Sequence, residues 1–66
     1  MYLKVGIYVQ TLPNVEYAGK IVRRNLYNPN LWVVESFNSG QQFSWNPANL
    51  IKMSDEEAMI HILENS

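Results

Sequence analysis

Cysteine is absent from this sequence, histidine occurs once, and no long hydrophobic run is present. Without cysteine the chain forms neither a disulfide nor a thiolate metal site, which fits an intracellular compartment. The longest uninterrupted apolar run is Leu31–Val34, whereas a helix needs about 20 apolar residues to cross a bilayer. Because the first residues, Met1–Lys4, also open no signal-peptide pattern, we expect a soluble cytoplasmic protein.

The size of the chain limits it to one hydrophobic core. It has 66 residues, and a domain of this size buries only about 60% of the surface that its unfolded chain exposes. Hydrophobic residues make up 47% of the chain and charged residues 17%, which is too apolar a composition for a disordered protein. We therefore expect one folded domain that is stabilised by packing alone.

Charge is distributed unevenly along the sequence. Residues 1–53 contain all five Lys and Arg residues against two acidic ones, Glu16 and Glu35, for a net charge of +3. Residues 54–66 contain Asp55, Glu56, Glu57 and Glu64, for a net charge of −4. A basic body with an acidic tail is compatible with a nucleic-acid surface, but it is also ordinary for a solvated protein surface.

Two strands are predicted in the first part of the chain. Hydrophobic residues alternate with other residues over 3–10, which is the pattern of a strand with one buried face. This alternation places Tyr8 on the outer face. After a long loop with the turn signal Pro13-Asn14, the β-branched stretch Lys20–Arg24 predicts the second strand.

Three further strands are predicted at residues 31–37, 41–45 and 50–53. Asn38-Ser39-Gly40 separates the third strand from the fourth as a short hairpin turn, in which Gly40 supplies a positive φ. The segment 46–49 is too short for an α-helix and contains Pro47, so it predicts a single 3₁₀ turn before the fifth strand.

The C-terminal segment predicts a helix over residues 55–64. Ser54 and Glu57 have the spacing of a capping box, and the acidic first turn suits the positive end of a helix dipole. One face, which we expect to pack on the sheet, carries Ala58, Met59, Ile62 and Leu63. The opposite face carries Glu57, His61 and Glu64, and Ile60 lies at the border between the two.

The segment from Leu31 to Ile51 resembles the second half of an SH3 domain. It contains a tryptophan in the third strand, a hairpin with glycine, and Pro47-Ala-Asn-Leu where the family has Pro-Ser-Asn-Tyr. Upstream, Gly6-Ile7-Tyr8 stands where the family has Ala-Leu-Tyr, and the loop 11–17 takes the place of the family's RT loop. Small barrels of this kind also include ribosomal KOW modules and small prokaryotic accessory subunits.

This resemblance over residues 3–53 implies a fold and part of a binding groove. The implied fold is mainly β, a five-strand SH3-like barrel (residues 1–53) with one short C-terminal α-helix (residues 54–66) that caps the same domain. Tyr8, Pro47 and Asn49 stand at positions that match the family's peptide groove. Two of the groove's aromatic walls are replaced by Leu31 and Leu50, so the resemblance implies a ligand other than the usual proline-rich peptide.

The sequence contains few residues that could form a catalytic site. Its one histidine, His61, follows Glu57 by one helical turn on the predicted polar face, which is typical of a solvated pair. The three glycines are too scattered for a phosphate-binding loop. We therefore expect a protein that is not an enzyme and that binds neither a cofactor nor a metal.

The aromatic residues are the most informative about binding. Phe43 and Trp45 share one face of the fourth strand and are predicted in the core, because a small barrel needs bulky residues to fill it. The face of Trp32 stays open at this point. Exposed aromatics commonly anchor interfaces. We therefore predict a protein–protein interaction module, an adaptor or small accessory factor, whose partner surface comprises Tyr8, Tyr17, Tyr27, Pro47 and Asn49.

Two alternatives remain open from the sequence. Nucleic acid is the first, with phosphates held by Lys20, Arg23, Arg24 and Lys52. Adjacent strand residues point to opposite faces, so Arg23 and Arg24 line one groove only if a bulge intervenes. Self-association through an exposed strand edge, giving a homo-oligomer, is the second.

Overall fold

A computed structural model describes residues 3–12 and 17–64 of the chain. Within these residues it contains five β-strands, one 3₁₀ turn and one α-helix. Their order is β1 (Tyr8–Thr11), β2 (Ala18–Arg24), β3 (Trp32–Ser36), β4 (Gln42–Trp45), the 3₁₀ turn Pro47–Asn49, β5 (Leu50–Lys52) and α1 (Asp55–Glu64). The helix begins and ends where the sequence predicts, and the strands after β1 lie within three residues of their predicted bounds.

The strands form one antiparallel sheet in the order β4-β3-β2-β1-β5. The first four strands are a meander, and the chain then returns through the 3₁₀ turn to place β5 beside β1. The predicted class, a mainly β domain with a short C-terminal helix, is confirmed. Among the described residues no strand pairing joins β4 to β5, so the sheet remains open at these two edges.

The first strand is shorter than the sequence predicts. It begins at Tyr8 rather than at residue 3, because Gly6 has a positive φ of 99° and turns the chain just before it. Val5 is consequently exposed, whereas the alternating pattern predicts it to be buried. Leu3 and Ile7 still pack against the apolar residues of the sheet. The alternation therefore predicts these two contacts correctly, although residues 3–7 do not continue the strand.

Apolar side chains form two separate clusters, which we call the sheet cluster and the helix cluster. The sheet cluster contains the buried residues Val9, Ile21, Trp32, Val34 and Leu50, with Leu3, Ile7, Tyr17 and Trp45 packed at its border. This contact settles the face of Trp32, which is buried. The helix cluster contains Ala18, Met53 and Ala58, bordered by Tyr8 and Phe37.

A β-bulge interrupts β2. Ile21 pairs with Val34 and Arg23 pairs with Val33, so Val22 is an extra residue on the β2 side. A bulge of this kind bends the strand and increases its twist. Because the bulge precedes both arginines, Arg23 and Arg24 pair with successive β3 residues and still point to opposite faces.

Two glycines are required by the geometry of the sheet. Gly19 lies against the backbone of β3 so closely that an added Cβ would be 2.7 Å from the carbonyl carbon of Glu35. Gly40 has a φ of +71° in the hairpin between β3 and β4, where its N–H donates to the Ser36 carbonyl at 3.0 Å. The positive φ predicted for Gly40 is therefore confirmed.

The helix packs on the sheet through Ala58, as predicted, but not through the rest of the predicted face. Its only buried residue in the described part is Ala58, and His61, predicted on the solvated face, is half-buried and stacks on Phe37 with ring centroids 6.1 Å apart. Met59, Ile62 and Leu63, predicted to pack on the sheet, are exposed. The cap is as predicted, since the Ser54 hydroxyl accepts from the Glu57 N–H at 3.1 Å.

Candidate functional site

The ends of the first loop are fixed beside the 3₁₀ turn. The N–H and the hydroxyl of Thr11 both donate to the Tyr17 carbonyl, at 3.0 and 3.1 Å. The next residue, Leu12, donates its N–H to the Asn49 carbonyl at 2.8 Å. These bonds bring Tyr17 and Asn49, which are far apart in sequence, to one end of the sheet.

Three aromatic rings meet at this end of the sheet, and we call Tyr17, Phe43 and Trp45 the aromatic cluster. The Tyr17 ring lies 5.2 Å from the Trp45 ring and 5.8 Å from the Phe43 ring, centroid to centroid, the latter in an edge-to-face arrangement. These distances lie in the range of favourable aromatic pairs. Phe43 is 48% exposed, so the predicted core position of this residue is wrong.

The exposure of Phe43 follows from its strand. Phe43 pairs with Val34 and Trp45 pairs with Trp32, so both rings lie on the face of the sheet that carries the sheet cluster. β4 is an edge strand, however, and no described strand lies beyond it. Trp45 is half-buried over Tyr17, whereas Phe43 has one side against Tyr17 and the other open to solvent.

Two polar atoms of the aromatic cluster are buried without a hydrogen-bond partner among the described residues. They are the Tyr17 hydroxyl and the Trp45 indole Nε1. Burial raises the pKa of the Tyr17 hydroxyl, because the phenolate loses solvation. A buried donor without an acceptor costs roughly 1–3 kcal/mol, so this end of the sheet is not packed for maximal stability.

The 3₁₀ turn follows the aromatic cluster directly in sequence and is held by its own cap. The Asn46 side chain accepts from the Ala48 N–H at 2.9 Å, and the Asn49 N–H donates to the Asn46 carbonyl at 2.9 Å. Pro47 and Asn49 are exposed on this turn. Of the predicted partner-binding residues, the structure therefore brings together Tyr17, Pro47 and Asn49.

Tyr8, another predicted partner-binding residue, belongs to a different part of the molecule. Its ring packs on Phe37 at 5.5 Å and borders the helix cluster. The strand alternation does place it on the face opposite Val9, but α1 covers that face, so Tyr8 is half-buried. Sequence alternation distinguishes the two faces of a strand and does not show which of them a later helix covers.

Tyr27 is also separate from the aromatic cluster and lies in an ordered loop between β2 and β3. The Asn25 side-chain oxygen accepts from the N–H groups of Tyr27 and Asn28 at 2.8 and 2.9 Å, and its Nδ2 donates to the Ser44 hydroxyl at 2.7 Å. The loop therefore holds its shape while the Tyr27 side chain is 97% exposed and Leu26 is 81% exposed.

The four basic residues of the nucleic-acid alternative do not share a face. Lys20 stands opposite Glu35 in the β2–β3 register, and Arg23 and Arg24 point to opposite sides. The Arg24 guanidinium lies 4.1 Å from the Trp32 ring centroid, and its Nη1 donates to the Pro29 carbonyl at 2.8 Å. Lys52 lies on β5, at the opposite edge of the sheet from β4.

Phe43 is the functional candidate that the sequence reasoning missed. Its position in β4 pairs it with a fully buried valine, so alternation alone assigns it to the core. The signal that distinguishes it is the strand order, because the fourth strand of a meander whose fifth strand returns to β1 is an edge. Trp45 lies on the same edge strand and is half-buried, because the Tyr17 ring packs against it.

Comparisons of the chain with protein-family models, curated proteins and solved structures find no match. Within residues 3–12 and 17–64, no three His, Cys, Asp or Glu side chains gather in a group that could hold a metal ion. The described part of the chain also has no helix long and apolar enough to span a bilayer.

Proposed function

We propose that the protein is a non-catalytic protein–protein interaction module of the cytoplasm, and that its partner binds the aromatic cluster and the adjoining 3₁₀ turn. The observation that supports this most strongly is the exposed ring of Phe43 beside Tyr17 and Trp45. Aromatic side chains that are held by packing and partly exposed are frequent anchors of protein interfaces.

The chemistry of the cluster suggests the kind of segment that it binds. An apolar side chain of the partner would cover the open face of Phe43. Backbone groups of the partner would pair with the open side of the edge strand β4. An extended peptide segment presents both groups at short spacing, and it also fits beside an open edge strand such as β4.

We propose further that the domain is an SH3-like small barrel. The support is the strand order β4-β3-β2-β1-β5, the 3₁₀ turn that precedes β5, and the bulge that bends β2. In this proposal the aromatic cluster occupies the groove between the first loop and the 3₁₀ turn. Leu31 and Leu50 replace two aromatic walls of the SH3 peptide groove. Tyr17, Phe43 and Trp45 would then form the aromatic walls of this groove instead.

Nucleic acid is the less favoured ligand on the same geometry. A phosphate-binding groove needs several cations along one surface. Here Arg23 and Arg24 face opposite sides, Lys20 is paired in register with Glu35, and Lys52 is on another edge. The acidic first turn of α1 would also repel a polyanion that approached it.

The class of partner is tested by capture from cell lysate on the purified domain at low and high salt, with nuclease added to half the samples. We expect a protein that is retained through nuclease and high salt, because contacts between apolar surfaces are not screened. Loss of all captured material on nuclease treatment would contradict the proposal and favour the nucleic-acid alternative. Loss with salt alone would contradict the aromatic cluster as the anchor.

A further inference from the structure

The C-terminal helix carries a stripe of exposed apolar side chains. Met59, Ile60 and Leu63, which we call the helix stripe, are 54%, 56% and 65% exposed. Residues three and four apart on a helix are neighbours on its surface, so the three side chains form one patch. α1 docks on the sheet through Ala58 and His61 instead, which turns the stripe away from the helix cluster.

Negative charge surrounds the helix stripe. α1 carries Asp55, Glu56, Glu57 and Glu64 and no lysine or arginine. Glu56 precedes Met59 by three residues and Ile60 by four, so it lies at the end of the stripe itself. All four carboxylates are on exposed residues. A surface that covers the stripe with little electrostatic cost must therefore be apolar with a positive border.

The loop after β2 has this complementary character. Leu26 and Tyr27, which we call the loop patch, are the most exposed large apolar residues of the described chain. The exposed Arg23 and Arg24 precede them directly and point to opposite faces of the sheet, so one arginine borders the patch on each side. Asn25 fixes the loop through hydrogen bonds to two backbone N–H groups and to Ser44, so little ordering entropy would be lost on contact.

The two patches lie at opposite ends of β2. α1 packs on Ala18, the first residue of β2, and the loop patch follows Arg24, its last residue. At about 3.3 Å per residue the two ends of this strand are about 20 Å apart. Both patches are largely exposed in the folded chain, so it does not cover its own helix stripe with its own loop patch.

We propose that two copies of the chain associate head to tail, with the loop patch of one copy on the helix stripe of the other. The contact joins an apolar surface with an acidic border to an apolar surface with a basic border. It differs from the aromatic cluster, so it does not depend on the proposed function. Since each copy keeps one free patch of each kind, the contact is heterologous and extends to further copies at high concentration.

Sedimentation velocity over protein concentrations from about 10 µM to about 1 mM, the range in which small interfaces dissociate, tests this contact. The wild-type chain is compared with a helix variant, Met59→Gln with Ile60→Gln, and a loop variant, Leu26→Ser with Tyr27→Ser. Gln keeps the helix propensity. Val5→Ser with Ile51→Ser is the matched control, because both residues are exposed and belong to neither patch.

We expect the weight-average mass of the wild type and of the control to rise with concentration, and each patch variant to raise the dissociation constant at least tenfold. Mixing the two patch variants should restore a dimer that grows no further, because one intact patch of each kind remains. A second helix variant, Glu56→Lys, keeps every apolar side chain and should weaken association several-fold. High salt should also weaken it, through screening.

Several results would overturn the proposal. One is a wild-type chain that stays monomeric at every concentration. Association that survives in both patch variants would place the contact elsewhere, such as at a strand edge. Association lost in only one of the two variants would indicate a symmetric contact between identical patches. Failure of the mixture to dimerise would exclude the head-to-tail pairing, provided that circular dichroism shows both variants folded.

Discussion

The two apolar clusters of this protein differ in how firmly they join its parts. The sheet cluster takes residues from all five strands when Trp45 at its border is included, and Val9, Ile21 and Val34 within it are fully buried. The helix cluster consists of two alanines and one methionine. We expect the larger sheet cluster to contribute more to the free energy of unfolding than the small helix cluster.

The difference indicates a division between a stable sheet and a loosely attached helix. Burial of apolar surface contributes about 25 cal/mol per Å², so the side chains of Ile21 and Val34 contribute much more than that of Ala58. The helix leaves most of its large apolar residues exposed. We therefore expect α1 to open locally at a lower free energy than the sheet.

The largest effect should come from truncation within the sheet cluster. Ile21→Ala removes a fully buried side chain, and such changes cost about 2–5 kcal/mol. Met53→Ala, in the helix cluster, should lie at the lower end of that range, because its neighbours are two alanines. Urea denaturation measures both. A greater loss for Met53→Ala would reverse the ranking of the two clusters.

The next effect concerns the close approach of β2 to β3. Gly19→Ala would force a Cβ against the Glu35 carbonyl, and overpacking of this kind costs typically about 1–3 kcal/mol. Gly40→Ala is the comparison, since open space surrounds Gly40 and only its positive φ opposes a side chain, at about 1–2 kcal/mol. Equal thermal stability of the Gly19→Ala variant and the wild type would contradict the described spacing of the two strands.

A smaller effect is expected at the helix cap. Ser54→Ala removes the acceptor of the Glu57 N–H, and loss of an N-cap costs about 1 kcal/mol. The loss should appear mainly as faster amide hydrogen exchange in α1, with little change in β2 and β3. Glu57→Gln keeps the backbone N–H and serves as the control. Equal acceleration throughout the sheet would show that the helix and the sheet unfold together.

The smallest effect at neutral pH is expected from Tyr17→Phe. This change removes a buried hydroxyl that lacks a partner among the described residues, so stability should change by less than about 1 kcal/mol or increase slightly. A marked loss would mean that the hydroxyl forms a stabilising hydrogen bond.

The Tyr17→Phe variant also tests how the stability of the protein depends on pH. Burial raises the pKa of Tyr17 above its usual 10.0, so the folded state holds the proton more tightly than the unfolded state. Stability is then fully present below pH 10 and falls as the pH rises through the folded-state value. Thermal melting should show a steeper loss above pH 10 in the wild type than in Tyr17→Phe.

Strand and helix positions could be predicted well because they depend on local patterns. The capping box at Ser54 and the proline at residue 47 mark element ends directly, and both α1 and the 3₁₀ turn lie where these residues indicate. The predicted first strand is too long at its N-terminal end, because hydrophobic alternation continues through Gly6 whereas the backbone turns there.

The exposure of individual side chains could not be predicted in the same way, because it depends on what covers each face. Phe43 has a core-like position in its strand and is exposed only because β4 is an edge. Tyr8 is covered because α1 docks through Ala58 and His61. That choice of helix face follows from contacts with Met53 and Phe37 and not from the helical period.

The most direct test of the central claim, that a partner binds the aromatic cluster, is the affinity of the captured partner for Phe43→Thr. The variant removes the exposed ring and keeps a residue suited to a strand, and Ile51→Thr, another exposed strand position, is the control. We expect Phe43→Thr to weaken binding at least tenfold while the variant remains folded, and Ile51→Thr to leave binding intact. Unchanged affinity of the folded Phe43→Thr variant would contradict the claim.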